Sequence, residues 1–127
     1  MNPQRFTLLT GEWAIARLAP DSPLPPWALA PAAFIAIART AHELSIVAPA
    51  TAPPPDVRAE RGWSVLQLQG PFAFDQTGIL ASFAAPLAAA DVGIFAVSTF
   101  DTDYVLVKTA QLAAALAALR AAGHLQN

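Results

Sequence analysis

Two aspartates separated by one residue, Asp101 and Asp103, stand in the polar run from Ser98 to Asp103, and Gly78 and Ile79 open an earlier segment with helical spacing. Carboxylates at such a turn can pair with an ammonium or guanidinium group. A helix N-terminus with glycine at its mouth offers unpaired N–H groups and a positive dipole end to a carboxylate. Together the two features suit a zwitterion. The same residues have a plainer reading, in which Gly78 eases a tight turn and the aspartates bond their own backbone. Other chemistry is poorly supplied. The only histidines, His42 and His124, sit in no metal-ligand spacing and no nucleophile context. The aspartates have no phosphate-cradling glycine loop beside them. The chain is read as not an enzyme, with no catalytic residue, no metal ligand and no cofactor.

The elements that must position these residues lie in one stretch, residues 77–107. Ile79, Phe83 and Leu87 recur at four-residue steps with Leu80 beside them, which predicts a buried helix, and Asp75, Gln76 and Thr77 are its expected capping residues. Pro86 interrupts the helix ladder at the carbonyl of Ser82, most simply as a kink. Beyond Asp91, Ile94, Phe95 and Val97 form one strand and Tyr104, Val105, Leu106 and Val107 a second, so a hairpin follows the helix. Residues 63–69 alternate as a strand before it. Residues 110–122 form a second helix with Leu112, Leu116 and Leu119 on one stripe, Thr109 as its cap and Gly123 as its stop.

Earlier in the chain, residues 6–9 and 12–18 read as two short strands or one bent one, and 34–38 and 44–48 as two more joined by a polar connection of hairpin length. Prolines 20, 23, 25, 26 and 31 limit the intervening segment to a single turn around Trp27 to Leu29. The next proline-rich stretch leaves room for one helical turn at residues 56–60.

Composition bounds the function. In 127 residues, 55% hydrophobic content is ample for a buried core, whereas 13% charged residues, a net charge of −2 and a single lysine leave no electrostatic footprint for nucleic acid or an anionic membrane. The absence of cysteine excludes disulfides, thiol catalysis and thiolate metal sites. The first ten residues lack the basic-then-apolar pattern of a secretory signal, and the run without a charge or amide at residues 77–90 is shorter than the roughly 20 residues a bilayer span needs. A cytoplasmic protein is the expectation.

An internal repeat organises the chain. Trp13 aligns with Trp63 at a shift of 50, and at a shift of 60 Ile35, Ala36 and Ile37 meet Phe95, Ala96 and Val97, Glu43 meets Asp103, and Ile46 and Val47 meet Leu106 and Val107. The expected fold is α+β: two ferredoxin-like βαββα(β) units, residues 1–61 and 62–127, packed as one body, with antiparallel sheets and helices on one face. One of the usual four strands is short in the second unit, and residues 6–9 could fill its place. Ile37, Val47, Leu68, Phe83, Leu87, Val97, Leu106 and Leu116 are the expected core. Sheet edges left open by one-sided helix coverage predict a homodimer.

The runs GILAS at 78–82, Pro86-Leu87 and IFAVSTFDTDYVLV at 94–107 resemble the small tandem ACT-domain proteins, a subgroup similar to the cytosolic arginine sensors of animals. The resemblance is carried by residues 63–123 and reaches residues 6–47 through the repeat. It implies a degenerate first ACT-like unit and a second ACT unit that together bind an amino acid, basic ligands included, for a regulatory or sensor role. The ligand would be held by backbone groups of Gly78 and Ile79, by backbone around Thr99 and Phe100, and by the carboxylate of Asp103, with Asp101 beside them. The first copy has no Gly-Ile loop. A structural or partner-binding module that oligomerises without ligand is the alternative expectation.

Overall fold

The computed structural model describes residues 3–127, which form eight strands, two α-helices and two 3-10 turns. Contacts divide them into two compact units. One is Gly11–Trp63. The other is Ser64–Asn127 together with the stretch ending at Thr10. The expected boundary at 61/62 falls two residues early, and the N-terminal strand belongs to the second unit instead of the first.

In Gly11–Trp63, strand β2 (Trp13–Leu18) lies between β4 (Leu44–Pro49) and the first half of β5 (Ala59–Leu68), with β3 (Ala36–Arg39) outside β4. All these pairings are antiparallel. The register against β5 slips between Trp13 and Ile15, where Gly62 takes a φ of 81°, the left-handed conformation that a β-bulge places on glycine. Ala16, Ala28, Leu44, Ile46 and Ala48 make the core, with Trp27 and Val57 packed against it. The prolines hold the connection from β2 to β3 to a three-residue 3-10 turn, Pro26–Ala28. No helical turn forms at 56–60, because Arg58 is already bonded to β2 through the N–H of Arg17 (3.0 Å) and β5 begins at Ala59.

In the other unit, β7 (Asp103–Lys108) lies between β6 (Ile94–Ser98) and β5, and β5 is flanked on its far side by β1 (Arg5–Leu8) and then by β8 (Leu125–Gln126). β1 runs antiparallel to β5, with Phe6 opposite Leu68, and parallel to β8. The N-terminal strand thus takes the fourth strand's place, as the sequence allowed, while the parallel β1–β8 pair departs from the expected all-antiparallel sheet. Helices α1 (Ile79–Ala89) and α2 (Leu112–Ala121) share one core: Ile79, Phe83, Leu87, Ala115 and Leu119 meet Phe6, Leu66, Leu68, Val105 and Val107. These strand residues have the same parity along β5 and β7, and Phe6 faces Leu68, so both helices cover the same face.

Five of the expected core residues, Val47, Leu68, Phe83, Leu87 and Leu106, are buried. Leu116 is half-buried and packs against the helical core, and Val97 is half-buried on β6. Ile37 is a correction: it is 39% exposed, because β3 is a four-residue strand paired only with β4.

The two hairpins are related by a shift of 59, not 60. Arg39 pairs with Leu44 and Ser98 with Asp103, so each hairpin has a four-residue turn that begins with threonine. Thr40 N–H donates to the carbonyl of Glu43 at 2.9 Å and Thr99 N–H to that of Thr102 at 2.8 Å, and each threonine hydroxyl accepts from the same partner's N–H. At this shift Ile46 and Ala48 match Val105 and Val107, core face on core face. A shift of 60 would set Ile46 against Leu106, which points to the opposite face. Glu43 therefore corresponds to Thr102 and not to Asp103.

Candidate functional site

The N-terminus of α1 carries no side-chain cap. Gly78 occupies the cap position with φ 78° and ψ 1°, and its carbonyl accepts the first helical bond, from Ser82 N–H at 2.9 Å. The expected caps act elsewhere or nowhere at this end: Gln76 turns its Oε1 back to the N–H of Ala73 at 2.6 Å, and neither Asp75 nor Thr77 bonds the helix. The opening N–H groups of a helix have no intrahelical partner. With no cap, these donors and the positive dipole end are available to an anion. A Cβ added at Gly78 would meet nothing within 4 Å, so glycine is required by its left-handed φ and not by crowding.

The β6–β7 turn, residues 99–102, is fastened to the segment that follows β5. Phe72 N–H donates to the carbonyl of Asp101 at 2.8 Å, and the buried Thr102 hydroxyl donates to the carbonyl of Leu68 at 2.8 Å. Between these ties the chains approach so closely that a Cβ on Gly70 would lie 2.7 Å from the Asp101 carbonyl oxygen and 3.0 Å from Thr102 Cβ. The turn and the loop ahead of α1 are thus joined at their base.

Above that base lies an open cleft of about 370 Å³. All six residues expected at the site, Gly78, Ile79, Thr99, Phe100, Asp101 and Asp103, line it. Asp103 is half-buried at the start of β7, opposite Ser98, whose hydroxyl donates to its Oδ1. Asp101 is exposed at the turn. The uncapped start of α1 and the two aspartates therefore line the same cleft.

Sequence reasoning passed over Phe72 and Phe74, which also line the cleft. Phe74 meets Phe100 edge to face, with ring centroids 4.9 Å apart and planes at 80°, although each residue is 78% exposed. The signal available was two phenylalanines in a loop otherwise made of small and polar residues. Neither histidine lies at the cleft, and the described residues contain no group of acidic or histidine side chains able to hold a metal. No helix among them is long and apolar enough to cross a membrane.

A helix N-terminus and a hairpin turn brought to one cleft on an α+β scaffold are the framework of a ferredoxin-like regulatory fold. The ACT-domain family model matches residues 58–121, just over half of the chain, and the chain belongs to that family. A separate model, described only as an N-terminal domain, matches residues 11–56. A crystal structure of an Agobacterium tumefaciens protein is 42% identical, with a TM-score of 0.94 over 100% of this chain and 94% of that one. The human protein named cytosolic arginine sensor for mTORC1 subunit 1 is 46% identical over 46 residues, 35% of this chain and 14% of the sensor's length. The regulatory subunit of aspartate kinase from Thermus thermophilus is 14% identical, with a TM-score of 0.63 over 94% of this chain and 97% of that one, a likeness of fold alone.

Proposed function

We propose that this chain is a non-catalytic regulatory module that binds a free amino acid in the cleft between α1 and the β6–β7 turn. The observation that carries this reading is the pairing, in one cleft, of an uncapped helix N-terminus with the Asp101 and Asp103 carboxylates. The ligand carboxylate meets the N–H groups near Gly78 and Ile79, backbone around Thr99 and Phe100 holds its middle, and its cationic part lies near Asp103. The likeness to an arginine sensor over 46 residues supports a basic amino acid and a cytoplasmic setting. The threonine-led turns related by a shift of 59 support a tandem origin in which Gly11–Trp63 is a degenerate ACT-like unit whose proline-rich connection has replaced a helix.

Thermal unfolding in the presence of each of the twenty amino acids tests the reading, because a ligand bound only by the native state adds RT ln(1 + [L]/Kd) to stability. A rise in midpoint with at least one of them is expected. No shift with any of them at millimolar concentration would leave the second reading, a partner-binding module that oligomerises without ligand. That reading is favoured by β6, which pairs only with β7 and carries the exposed Ile94. A homodimer is expected under either reading, and sedimentation at micromolar concentration with and without ligand checks it.

A further inference from the structure

We infer that the Phe74–Phe100 pair is the element that selects a cationic side chain in this cleft. The inference rests on the amino-acid reading above and adds a role for two aromatic rings. Two large apolar side chains, each 78% exposed, contribute almost nothing to the core, yet they meet each other from the two separate loops that line the cleft. In an edge-to-face pair, the ring that offers its edge keeps both of its own faces uncovered by its neighbour. A π face carries negative charge density and attracts a guanidinium or ammonium group within about 6 Å of the ring centroid. Asp101 directly follows Phe100, and Asp103 stands two residues further on, so ring face and carboxylates are supplied by a single turn. That combination favours a cation with a flat, weakly hydrated shape, which describes guanidinium better than ammonium.

The shared base makes the arrangement rigid where it must be. The Phe72 N–H bond to Asp101 and the Thr102 hydroxyl bond to Leu68 hold the loops together below the rings, which stand exposed above them.

The test compares arginine with citrulline, which has nearly the same shape but a neutral urea in place of guanidinium. Titration calorimetry on the wild-type chain and on Phe74→Leu and Phe100→Leu gives the ratio of the two affinities. Leucine keeps an apolar side chain and removes the π face, and the exposure of both sites leaves the core intact, which circular dichroism verifies. The expected result is a fall of roughly two- to fivefold in the arginine-to-citrulline ratio in at least one variant, with citrulline affinity little changed. An unchanged ratio in both variants, or an equal loss for both probes, overturns the inference. Wild-type protein that binds neutral amino acids but not arginine overturns it and leaves the amino-acid reading standing. Wild-type protein that binds no amino acid overturns both.

Discussion

The imidazole of His124 lies 2.9 Å, through Nε2, from the carbonyl of Ser82, the group to which Pro86 brings no helical N–H. Its Nδ1 accepts the N–H of Gln4 at 2.9 Å, which places the ring proton on Nε2 and makes the Ser82 contact a donated bond. The ring is 3% exposed and rests against Phe83 at 5.2 Å between centroids. A proline in the helix and a histidine near the end of the chain are thus one arrangement. His124→Leu removes both bonds at a buried site, and with a typical net contribution of about 0.5–1.5 kcal/mol each the loss should reach about 1–3 kcal/mol. Urea unfolding measures it; an unchanged midpoint would reduce the ring to a space filler.

Gly70 and Gly78 should respond differently to alanine. At Gly70 the new methyl would press on the Asp101 carbonyl, a backbone atom that cannot swing aside, and overpacking of this kind costs about 1–3 kcal/mol. It should also disturb the turn and weaken ligand binding. At Gly78 the methyl meets open space, and the cost is the left-handed backbone alone, about 1–2 kcal/mol. The stability costs overlap, so the discriminating measurement is calorimetric affinity, and an affinity unchanged in a folded Gly70→Ala protein would contradict this account of the loop junction.

Asp103→Ala should lower amino-acid affinity roughly ten- to hundredfold, the equivalent of about 1.5–3 kcal/mol for a charge-assisted bond. Ser98→Ala, which removes only the hydroxyl that steadies Oδ1, should have a smaller effect in the same direction. Calorimetry on both variants is the measurement. Unaltered affinity in a folded Asp103→Ala protein would return the residue to the role of a strand-opening aspartate.

Leu106→Ala should cost about 2–5 kcal/mol, since the side chain is fully buried on a strand flanked on both sides. Ile37→Ala, on the edge strand β3, should cost about 1 kcal/mol or less. Denaturation midpoints of the pair check the assignment of edge and interior.

The elements that repeat a period over many residues were legible in the sequence. Ile79, Phe83 and Leu87 announced α1, and the β-branched runs around the Ser98 to Asp103 turn announced the hairpin; the site residues came from the resemblance to ACT proteins, and all of them line one cleft. Ile37 was misplaced because its pattern is that of any apolar strand; exposure depends on whether another strand lies beyond it, which is a matter of sheet order. The repeat was offset by one residue because alanine, valine and isoleucine match at either shift, and only hydrogen bonding at Thr40 and Thr99 fixes the register. The uncapped start of α1 was missed because Asp75, Gln76 and Thr77 all have the right chemistry, and loop geometry decides where they point. Phe74 stood out only as an aromatic residue in a loop of small and polar ones, and its pairing was hidden because its partner Phe100 lies on another loop.

The placement of β1 between β5 and β8 has a consequence for how the chain acquires its structure. The bond from Gln4 to His124 spans 120 positions, and the strand pairings beside it are as distant. Gly11–Trp63 is contiguous and can close as soon as it leaves the ribosome, whereas the cleft-bearing unit must keep its opening strand unpaired until β5, and then β8, have been made. Contacts of such high sequence separation slow folding. The cleft-bearing unit is therefore the later of the two to form, and β1 holds an unsatisfied strand edge until Leu125 and Gln126 have been made.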